Sequence, residues 1–452
     1  MKEEKGELFL GINEVPKNKL MFLVLAFQPL LVYTSIFSQP YVYQAAMNLS
    51  QVQVLSLISA FYLGAGICTL IQATIGNRLP LWQGQSVSVM GPASVVGGIY
   101  GLGAMYGSLL IGGLIEAALG FFKIIGKIRR LMPRVVAGAV VASIGLSLLW
   151  LGGAQGIGTA PKWQNWVLLI GTILIILFLY VIASKVHPLL GMASVIIGVL
   201  GFGLGVGTLL GAVNWTPFIQ AKWFAFPKLI FDPVWAGSWG SNAWYKFVPV
   251  GILAVLLGYL ASIIESVGDY TAIGAVTNTE IKEEHLNKGI MAEGLGCAIV
   301  SIFGCPATTS HTEQIGLIRV TRIASRYLWM TAAVFAIILS FIPKFAALLV
   351  VVPGAARGGL LFVVFGFIVI SGLTVALSDE NTPANFAILG STIGISVGIF
   401  YFLRGSAWLA KEPSFIRVIL GSGVIMAVIT GITLNVLLRI IPEIIDKRKE
   451  KS

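Results

Sequence analysis

Charged side chains are scarce in this sequence. Aspartate, glutamate, lysine and arginine make up 11% of its 452 residues, while hydrophobic residues make up 57%. Charged residues account for about 25% of a soluble domain, so this composition excludes one. Apolar runs of about 20 residues, the length that crosses a hydrocarbon core, recur along the chain. The sequence therefore predicts an all-α polytopic membrane protein that lies in the lipid bilayer.

Cysteine and histidine are also rare, with three residues of each. Cys68, Cys297 and Cys305 lie in apolar surroundings, which predicts neither a disulfide framework nor a metal site. The sequence contains no nucleophile–base pair and no catalytic motif, so we expect neither an enzyme nor a bound cofactor. The net charge of +11 is attributed to membrane topology and lipid headgroups, and nucleic acid is not an expected partner.

Fourteen membrane crossings are predicted from the hydropathy pattern. Twelve are apolar runs, near residues 20–38, 50–72, 104–122, 134–152, 166–184, 189–212, 246–275, 289–303, 325–343, 356–377, 384–403 and 415–438. The other two, 80–103 and 304–322, each combine an extended polar piece with a short apolar piece. An even count places both termini on one side, which also receives most lysines and arginines and is therefore the cytoplasmic side of the cell membrane. The Trp-rich segment 213–245 then lies outside.

An internal repeat is visible at an offset of 220 positions. It relates Gly84 to Gly304, Pro133 to Pro353 and Gly138 to Gly358. With seven crossings per half, it predicts two inverted seven-segment repeats, because an odd number of crossings reverses the second copy. We expect short strands in segments 3 and 10, near 83–89 and 305–310, each opening a half-helix. Backbone of this kind must be buried in protein or line a wet cavity, so both pieces are predicted to face each other at a transporter's binding site.

Acidic residues inside the apolar segments are few. They are Glu116, Glu265, Asp269, Glu293 and Glu313. Each costs about 2.5–3.5 kcal/mol at a helix centre, so function or tight pairing must retain it. Glu265 and Asp269 share one helix face, and their mutual repulsion favours a bound proton and hence a proton-coupled step. The alternative is a structural role, with both carboxylates paired to Arg, Lys or backbone donors.

Two interpretations of Glu313 are open. The stretch SHTE (310–313) is typical of a capping box, in which Ser310 caps a short helix and Glu313 only reaches back to it. A half-helix that begins at mid-membrane also presents N–H groups and a positive dipole end to a ligand, which favours a functional role. Pro92 is predicted to open the matching half-helix in the first half.

The stretch EQIGLIRVTR (313–322) resembles the signature of the nucleobase–ascorbate transporter family, which includes the uracil and xanthine permeases. The residues that fit this signature are Glu313, Gly316, Thr321 and Arg322. Gln314 stands where asparagine is usual.

Four other stretches resemble family motifs in the same order. FQPLL keeps the first-span Gln28 but has Pro29 in place of a histidine. QGQSVSVMGP resembles the strand of the third span, and ESVGDYTA resembles the eighth span with its Glu265 and Asp269. AEGLG resembles the opening of the ninth span, with Glu293 at its acidic position. The resemblance covers nearly the whole chain.

The resemblance implies a core domain and a gate domain, each built from both halves of the chain. The core comprises residues 20–125 (segments 1–4) and 246–343 (segments 8–11), the gate comprises 126–245 (segments 5–7) and 344–440 (segments 12–14), and the cytoplasmic tails are 1–19 and 441–452. The family also implies a secondary transporter with elevator-type alternating access, and its members often form homodimers through the gate domain.

The resemblance also implies a substrate site for a nucleobase. Glu265 and Glu313 are expected to accept hydrogen bonds from ring N–H groups, because a carboxylate only accepts. The other residues expected at the substrate are Gln314, Thr312, Val87 and Gln28. Backbone near Val87 and Thr312 is expected to serve the ring carbonyls.

Proton coupling is assigned to Glu265, Asp269 and Glu293, with sodium as the alternative coupling ion. Glu313 resembles the residue of uracil carriers, whereas Asp269 resembles that of purine carriers, so a xanthine or uric acid-type purine and uracil both stay open. The rival function is an anion carrier of the sulfate or bicarbonate type with the same fold. Carboxylates in the site argue against that rival.

Overall fold

A computed structural model describes residues 8–158, 162–235 and 244–449. The first seven residues of the predicted N-terminal tail, Trp239 of the Trp-rich segment and the last three residues of the C-terminal tail lie outside these ranges.

The described chain is mainly helical in both halves. The elements of the first half are α1 Lys19–Leu25, α2 Gln28–Leu31, α3 Ser35–Met47, α4 Gln51–Thr74, β1 Gln83–Gln85, α5 Val87–Tyr100, α6 Leu102–Phe121, α7 Ile125–Leu131, α8 Arg134–Gly156, α9 Trp163–Val181, α10 Pro188–Met192, α11 Ser194–Ile196, α12 Gly205–Leu209 and α13 Thr216–Gln220. Those of the second half are α14 Pro249–Thr277, α15 Glu283–Ser301, β2 Thr308–Ser310, α16 Glu313–Thr321, α17 Arg326–Ser340, α18 Pro343–Val350, α19 Gly354–Ala376, α20 Pro383–Leu403, α21 Ala407–Lys411, α22 Ser414–Leu420, α23 Gly423–Asn435 and α24 Ile441–Lys449. Two π-helices, Ile197–Leu204 and Val436–Ile440, join α11 to α12 and α23 to α24.

Nine helical stretches of the described chain are long and apolar enough to cross a membrane. They are Lys19–Met47, Gln51–Thr74, Leu102–Phe121, Arg134–Gly156, Trp163–Lys185, Pro249–Thr277, Gly354–Ala376, Pro383–Leu403 and Gly423–Lys447. A tenth candidate is the pair α17 and α18, which is bent by 82° at its break. Helices of this length satisfy their backbone polar groups internally, as lipid requires. The chain is a multi-pass helical membrane protein, and this part of the predicted fold is confirmed.

The two strands lie within segments 80–103 and 304–322, and each precedes a short helix, α5 or α16. They pair antiparallel, with Gln83 opposite Ser310, Gly84 opposite Thr309 and Gln85 opposite Thr308. Two further backbone bonds extend the pairing: Ser86 N–H donates to the Ala307 carbonyl at 2.8 Å, and His311 N–H donates to the Trp82 carbonyl at 3.0 Å. All strand residues are buried, so this pairing satisfies backbone groups that no helix satisfies.

The predicted capping box at the start of α16 is wrong. The helix begins at Glu313 with Thr312 as its N-cap, and no side chain makes a cap hydrogen bond. Ser310 is the last residue of β2, and its hydroxyl donates instead to Asp269 at 2.7 Å. Ser310 therefore belongs to the strand pair and is not the N-cap residue that the local sequence pattern predicts.

The predicted opening of α5 at Pro92 is also wrong, because Pro92 lies inside that helix. α5 begins at Val87, five residues earlier. Ser86 acts as its N-cap, and the Ser86 hydroxyl oxygen accepts a hydrogen bond from the Val89 N–H at 3.3 Å.

Glycines let the two most extensive helix pairs approach backbone to backbone. In the pair of α8 and α19, a Cβ atom on Gly138 would collide with the backbone of Ala376, and one on Gly358 would collide with the backbone of Gly156. In the pair of α6 and α15, a Cβ atom on Gly294 would collide with the backbone of α6. Both helix pairs are thus packed too closely for a residue larger than glycine at these positions.

The 220-residue offset recurs in α8 and α19. Pro133 and Pro353 are the N-cap residues of these two helices, and Gly138 and Gly358 lie in their contact. The residues related by the repeat therefore occupy equivalent positions in two helices that pack against each other.

We predict that Gly294→Ala destabilises the protein. The added methyl group meets backbone atoms of α6, and overpacking of this kind costs about 1–3 kcal/mol. The matched control is Gly390→Ala in α20, where nothing lies within 4 Å of the added atom and the helix gains about 0.5–1 kcal/mol. Thermal unfolding in detergent should give a lower Tm for the first variant only. Equal Tm values would contradict the close approach of α6 and α15.

Candidate functional site

The acidic residues predicted from sequence surround the strand pair. Glu265 and Asp269 lie on α14, Glu293 lies on α15, and Glu313 is the first residue of α16. α14 packs against α5 in the first interrupted segment, 80–103, and against β2 and α16 in the second, 304–322. Glu265 and Asp269 lie one turn apart on α14, and Thr312, the residue before Glu313, donates to Asp269. The structure therefore brings these three predicted residues together.

Glu265 is half-buried and is held by one described hydrogen bond. The Ser88 hydroxyl, in the first turn of α5, donates to its Oε2 atom at 2.9 Å. Val87, the first residue of α5, precedes Ser88 in the sequence and is half-buried. Because the first N–H groups of a helix have no intrahelical acceptor, this end of α5 adds donors near the Glu265 carboxylate.

Asp269 is buried, and both of its oxygens are occupied. Thr312 donates to Oδ1 at 2.8 Å, and Ser310 donates to Oδ2 at 2.7 Å. These two residues form the link between β2 and α16. Asp269 therefore fixes the position at which α16 begins.

Glu293 is also buried and accepts hydrogen bonds from three hydroxyl groups. Ser266 lies 2.8 Å from each carboxylate oxygen, Tyr270 lies 3.1 Å from Oε2, and Thr309 of β2 lies 3.3 Å from Oε1. This set connects α15 to α14 and to the strand pair. Glu293 supports the site from behind β2.

Glu313 is the most open of these carboxylates, with 48% of its side chain exposed. Thr34, which precedes α3, donates to its Oε1 atom at 3.2 Å. The Nδ1 atom of His311 lies 3.6 Å from Oε2, too far for a hydrogen bond. The exposed carboxylate is available to a ligand at the start of α16.

Gln314 and Gln28 lie at the starts of α16 and α2. Gln314 is buried, and its amide donates to the Pro29 carbonyl at 3.0 Å, while its own oxygen has no partner among the described residues. Gln28 is half-buried at the first residue of α2, and no described hydrogen bond connects it to Glu265 or Glu313. Gln314 thus ties α16 to the broken first segment.

In the part of the chain that the structure describes, no lysine or arginine forms an ion pair with an acidic residue of the site. The ion pairs that these residues form in the described chain involve Asp232, Glu284, Asp379 and Glu443, all outside the site. The structural alternative for Glu265 and Asp269 was pairing to Arg, Lys or backbone donors, and within the described ranges neither residue has an ion pair with Arg or Lys. Hydroxyl groups hold both instead.

A family model described as "Permease family" matches residues 21–405. The chain belongs to this family. It is the nucleobase–ascorbate transporter family, so the resemblance of the EQIGLIRVTR stretch is confirmed. Members of this permease family are transporters, which excludes an enzyme.

Known relatives and one solved structure extend this likeness over the chain. The nucleobase transporter PlUacP of Paenibacillus larvae is 29% identical over 436 residues, which cover 93% of this permease and 95% of the relative. The uric acid permease PucK of Bacillus subtilis is 28% identical over 438 residues, with 92% and 95% coverage. The transmembrane domain of the cyanobacterial bicarbonate transporter BicA matches 94% of this permease and 99% of its own chain, with a TM-score of 0.59 and 14% identity. That last match shows a shared fold alone.

Sequence reasoning missed Gln85, Gln39 and Tyr33, whose side chains hold β1 in place. Gln85 accepts a hydrogen bond from the Tyr33 hydroxyl and donates to the Phe61 carbonyl at 3.1 Å, and Gln39 donates to the Gln85 carbonyl at 2.7 Å. Their signal was present, because glutamine is an uncommon residue within an apolar span. The pattern of acidic residues alone does not indicate these glutamines.

We predict that Asp269→Ala destabilises this permease much more than Asp269→Asn. Alanine leaves the Ser310 and Thr312 hydroxyls without their acceptor, and each hydrogen bond to a charged group contributes about 1.5–3 kcal/mol. Asparagine keeps the size and the polar atoms, and a hydroxyl can accept as well as donate. Thermal unfolding should give a clearly lower Tm for the alanine variant. Equal Tm values for the two variants would mean that Asp269 does not hold the link to α16.

Proposed function

We propose that this permease imports a nucleobase, a purine of the xanthine and uric acid type or uracil, by proton symport. The supporting observation is a contrast among four carboxylates. Asp269 and Glu293 are buried and occupied by hydroxyl groups, whereas Glu265 has one described bond and Glu313 is half exposed. A ligand that offers N–H donors fits the two available carboxylates.

The chemistry of the ring matches these groups. Uracil and xanthine carry N–H donors beside C=O acceptors. Glu265 and Glu313 can only accept when ionised and therefore pair with ring N–H groups. The N-terminal ends of α5 and α16, near Val87 and Thr312, offer N–H groups that suit the ring carbonyls. One site thus offers acceptors for the ring N–H groups and donors for the ring carbonyls.

The names of the relatives support a nucleobase, since PlUacP is described as a nucleobase transporter and PucK as a uric acid permease. The fold shared with BicA raises an anion carrier as the second candidate. An anion would meet uncompensated carboxylates at Glu265 and Glu313, which disfavours it. Uptake of labelled xanthine, uric acid, uracil, sulfate and bicarbonate into vesicles distinguishes these substrates directly.

We also propose fourteen crossings in two inverted repeats. The nine long helices and the bent pair α17 and α18 give ten. The remaining four are β1 with α5, the stretch Ser194–Leu209, α15, and β2 with α16. Both termini then lie in the cytoplasm, and the protein resides in the plasma membrane.

The proposed core domain comprises 20–125 and 246–343, and the proposed gate domain comprises 126–245 and 344–440. The closest helix pairs support this division, because α6 and α15 both belong to the core while α8 and α19 both belong to the gate. In an elevator-type cycle, the core carries the substrate site past the gate, and a homodimer forms through the gate.

We predict that Glu313→Ala weakens nucleobase binding. The variant removes the acceptor for ring N–H groups, and one or two lost bonds to a charged group correspond to about 10- to 100-fold in Kd. The matched control is Glu283→Ala, an exposed glutamate in the first turn of α15. Isothermal titration with xanthine, uric acid and uracil measures both variants. An unchanged Kd for Glu313→Ala would remove this residue from the site.

We predict that Glu265→Gln abolishes accumulation but keeps exchange. Glutamine preserves the shape of the side chain and cannot take up or release a proton. Because the proton is a co-substrate, wild-type uptake should rise as the external pH falls and should stop when an uncoupler dissipates the gradient. Counterflow and accumulation in proteoliposomes separate the two activities, with Glu283→Gln as the control. Accumulation at wild-type level by Glu265→Gln, or dependence on a sodium gradient, would contradict proton coupling at this residue.

A further inference from the structure

Residues 8–14, which precede the first helix, lie along the link between α16 and α17, and we call them the strap. The N–H groups of Phe9 and Leu10 donate to the Arg322 carbonyl at 2.8 and 3.3 Å. In return, the Ala324 N–H donates to the Leu10 carbonyl at 2.8 Å. This exchange of bonds is that of two parallel strands.

Two further bonds continue the contact towards the end of the strap. The Arg326 N–H donates to the Ile12 carbonyl at 2.9 Å, and the Ser325 hydroxyl donates to the Glu14 carbonyl. The Gly11 N–H donates to the Glu14 carboxylate at 2.8 Å, which closes a turn within the strap. The strap is therefore held along its length and not at a single point.

The side chains of the strap suit a half-buried strand. Leu10 is 9% exposed and belongs to the hydrophobic core, and Leu8 and Ile12 pack against that core. Phe9, between them, is 63% exposed. Apolar contact at every second residue is the pattern of a strand with one buried face.

The link between α16 and α17 depends on the strap for its hydrogen bonds. Ile323, Ala324 and Ser325 are buried and do not belong to a helix. Buried backbone N–H groups require acceptors. The described acceptors of the Ala324 and Arg326 N–H groups are both carbonyls of the strap. The link therefore keeps this position only while the strap is bound.

The link in turn fixes one end of the helix that begins with Glu313. α16 has nine residues, so Glu313 and the Arg322 carbonyl are separated by about 14 Å along the helix axis. Asp269 holds the start of α16 through Thr312, and the strap holds its end through Arg322. A helix this short moves as one body, so a shift of its end also displaces Glu313.

We propose that the strap is a positioning element for the substrate site, because it sets the place of α16 and thereby of the Glu313 carboxylate. Its effect on binding rests on the proposed nucleobase site. Its contact with the link does not, because the bonds that hold it lie within the chain and involve no substrate.

Hydrogen exchange of the whole chain in lipid nanodiscs, without substrate, tests the contact. Leu10→Ser removes the buried side chain of the strap and should speed exchange of the Ala324 and Arg326 amides about tenfold, the effect of one lost apolar side chain. The matched control is Phe9→Ser, which removes an apolar side chain from the exposed face and should exchange at the wild-type rate. If Leu10→Ser does not fold, Leu10→Ala should show the same direction of change. Equal rates in the Leu10 and Phe9 variants would overturn the proposal.

Isothermal titration with xanthine, uric acid and uracil tests the positioning role. Leu10→Ser should raise the Kd about tenfold, because the binding-competent position of α16 is then less populated. Leu10→Met, which restores an apolar side chain of similar size, and Phe9→Ser should both bind as the wild type does. An unchanged Kd in Leu10→Ser, despite faster amide exchange, would overturn the positioning role.

A stability control separates loss of position from loss of stability. Gly138→Ala should lower the Tm through the contact of α8 with α19 and leave the Kd unchanged. A Kd raised equally in Gly138→Ala and Leu10→Ser would reduce the strap to a stabilising contact and contradict the proposal. If the wild type binds none of the three nucleobases, the proposed function fails, while amide exchange still decides whether the strap holds the link.

Discussion

The antiparallel pairing of β1 with β2 is the interaction on which the rest of the site depends. Backbone that is not helical has to find partners inside the bundle, and each strand finds them on the other strand and on neighbouring side chains such as Gln39 and Thr69. This requirement joins the two halves of the chain at one place. It also fixes where α5 and α16 begin, and these helix starts carry Ser88, which donates to Glu265, and Glu313.

Hydroxyl groups hold the acidic residues around the strands. Lysine or arginine would bring a second charge into a poorly solvated region, and burial of both charges costs several kcal/mol per ion. Serine, threonine and tyrosine donate to a carboxylate without that cost. The number of hydroxyl donors differs among the four carboxylates. Glu293 accepts from three hydroxyl groups and Asp269 from two. Glu265 has one described hydrogen bond, and Glu313 is half exposed.

The sequence predicts those features that depend on solvent alone. Composition indicates the bilayer, the polar inserts at 80–103 and 304–322 indicate interrupted helices, and rare acids at 265, 269 and 313 indicate a polar centre. Features that depend on contacts between residues far apart in the chain could not be predicted from local sequence patterns. The SHTE pattern favours a capping box locally, but Ser310 pairs with Gln83, over 200 positions away. Gln314 likewise bonds to Pro29 in the first segment, a contact that no spacing predicts.

The same hydroxyl groups explain how a carrier of this kind can change its charge without losing its structure. A salt bridge fixes the ionised form of an acid, because protonation leaves a buried cation unpaired. A hydroxyl that donates to a carboxylate can rotate and accept from the protonated acid instead. Ser88, Ser310 and Ser266 can each make that change while the strands stay paired and the glycine contacts of α6 with α15 stay closed. A site built on serine and threonine is therefore rigid in its backbone and adaptable in its protons, which is the combination that the proposed proton symport requires.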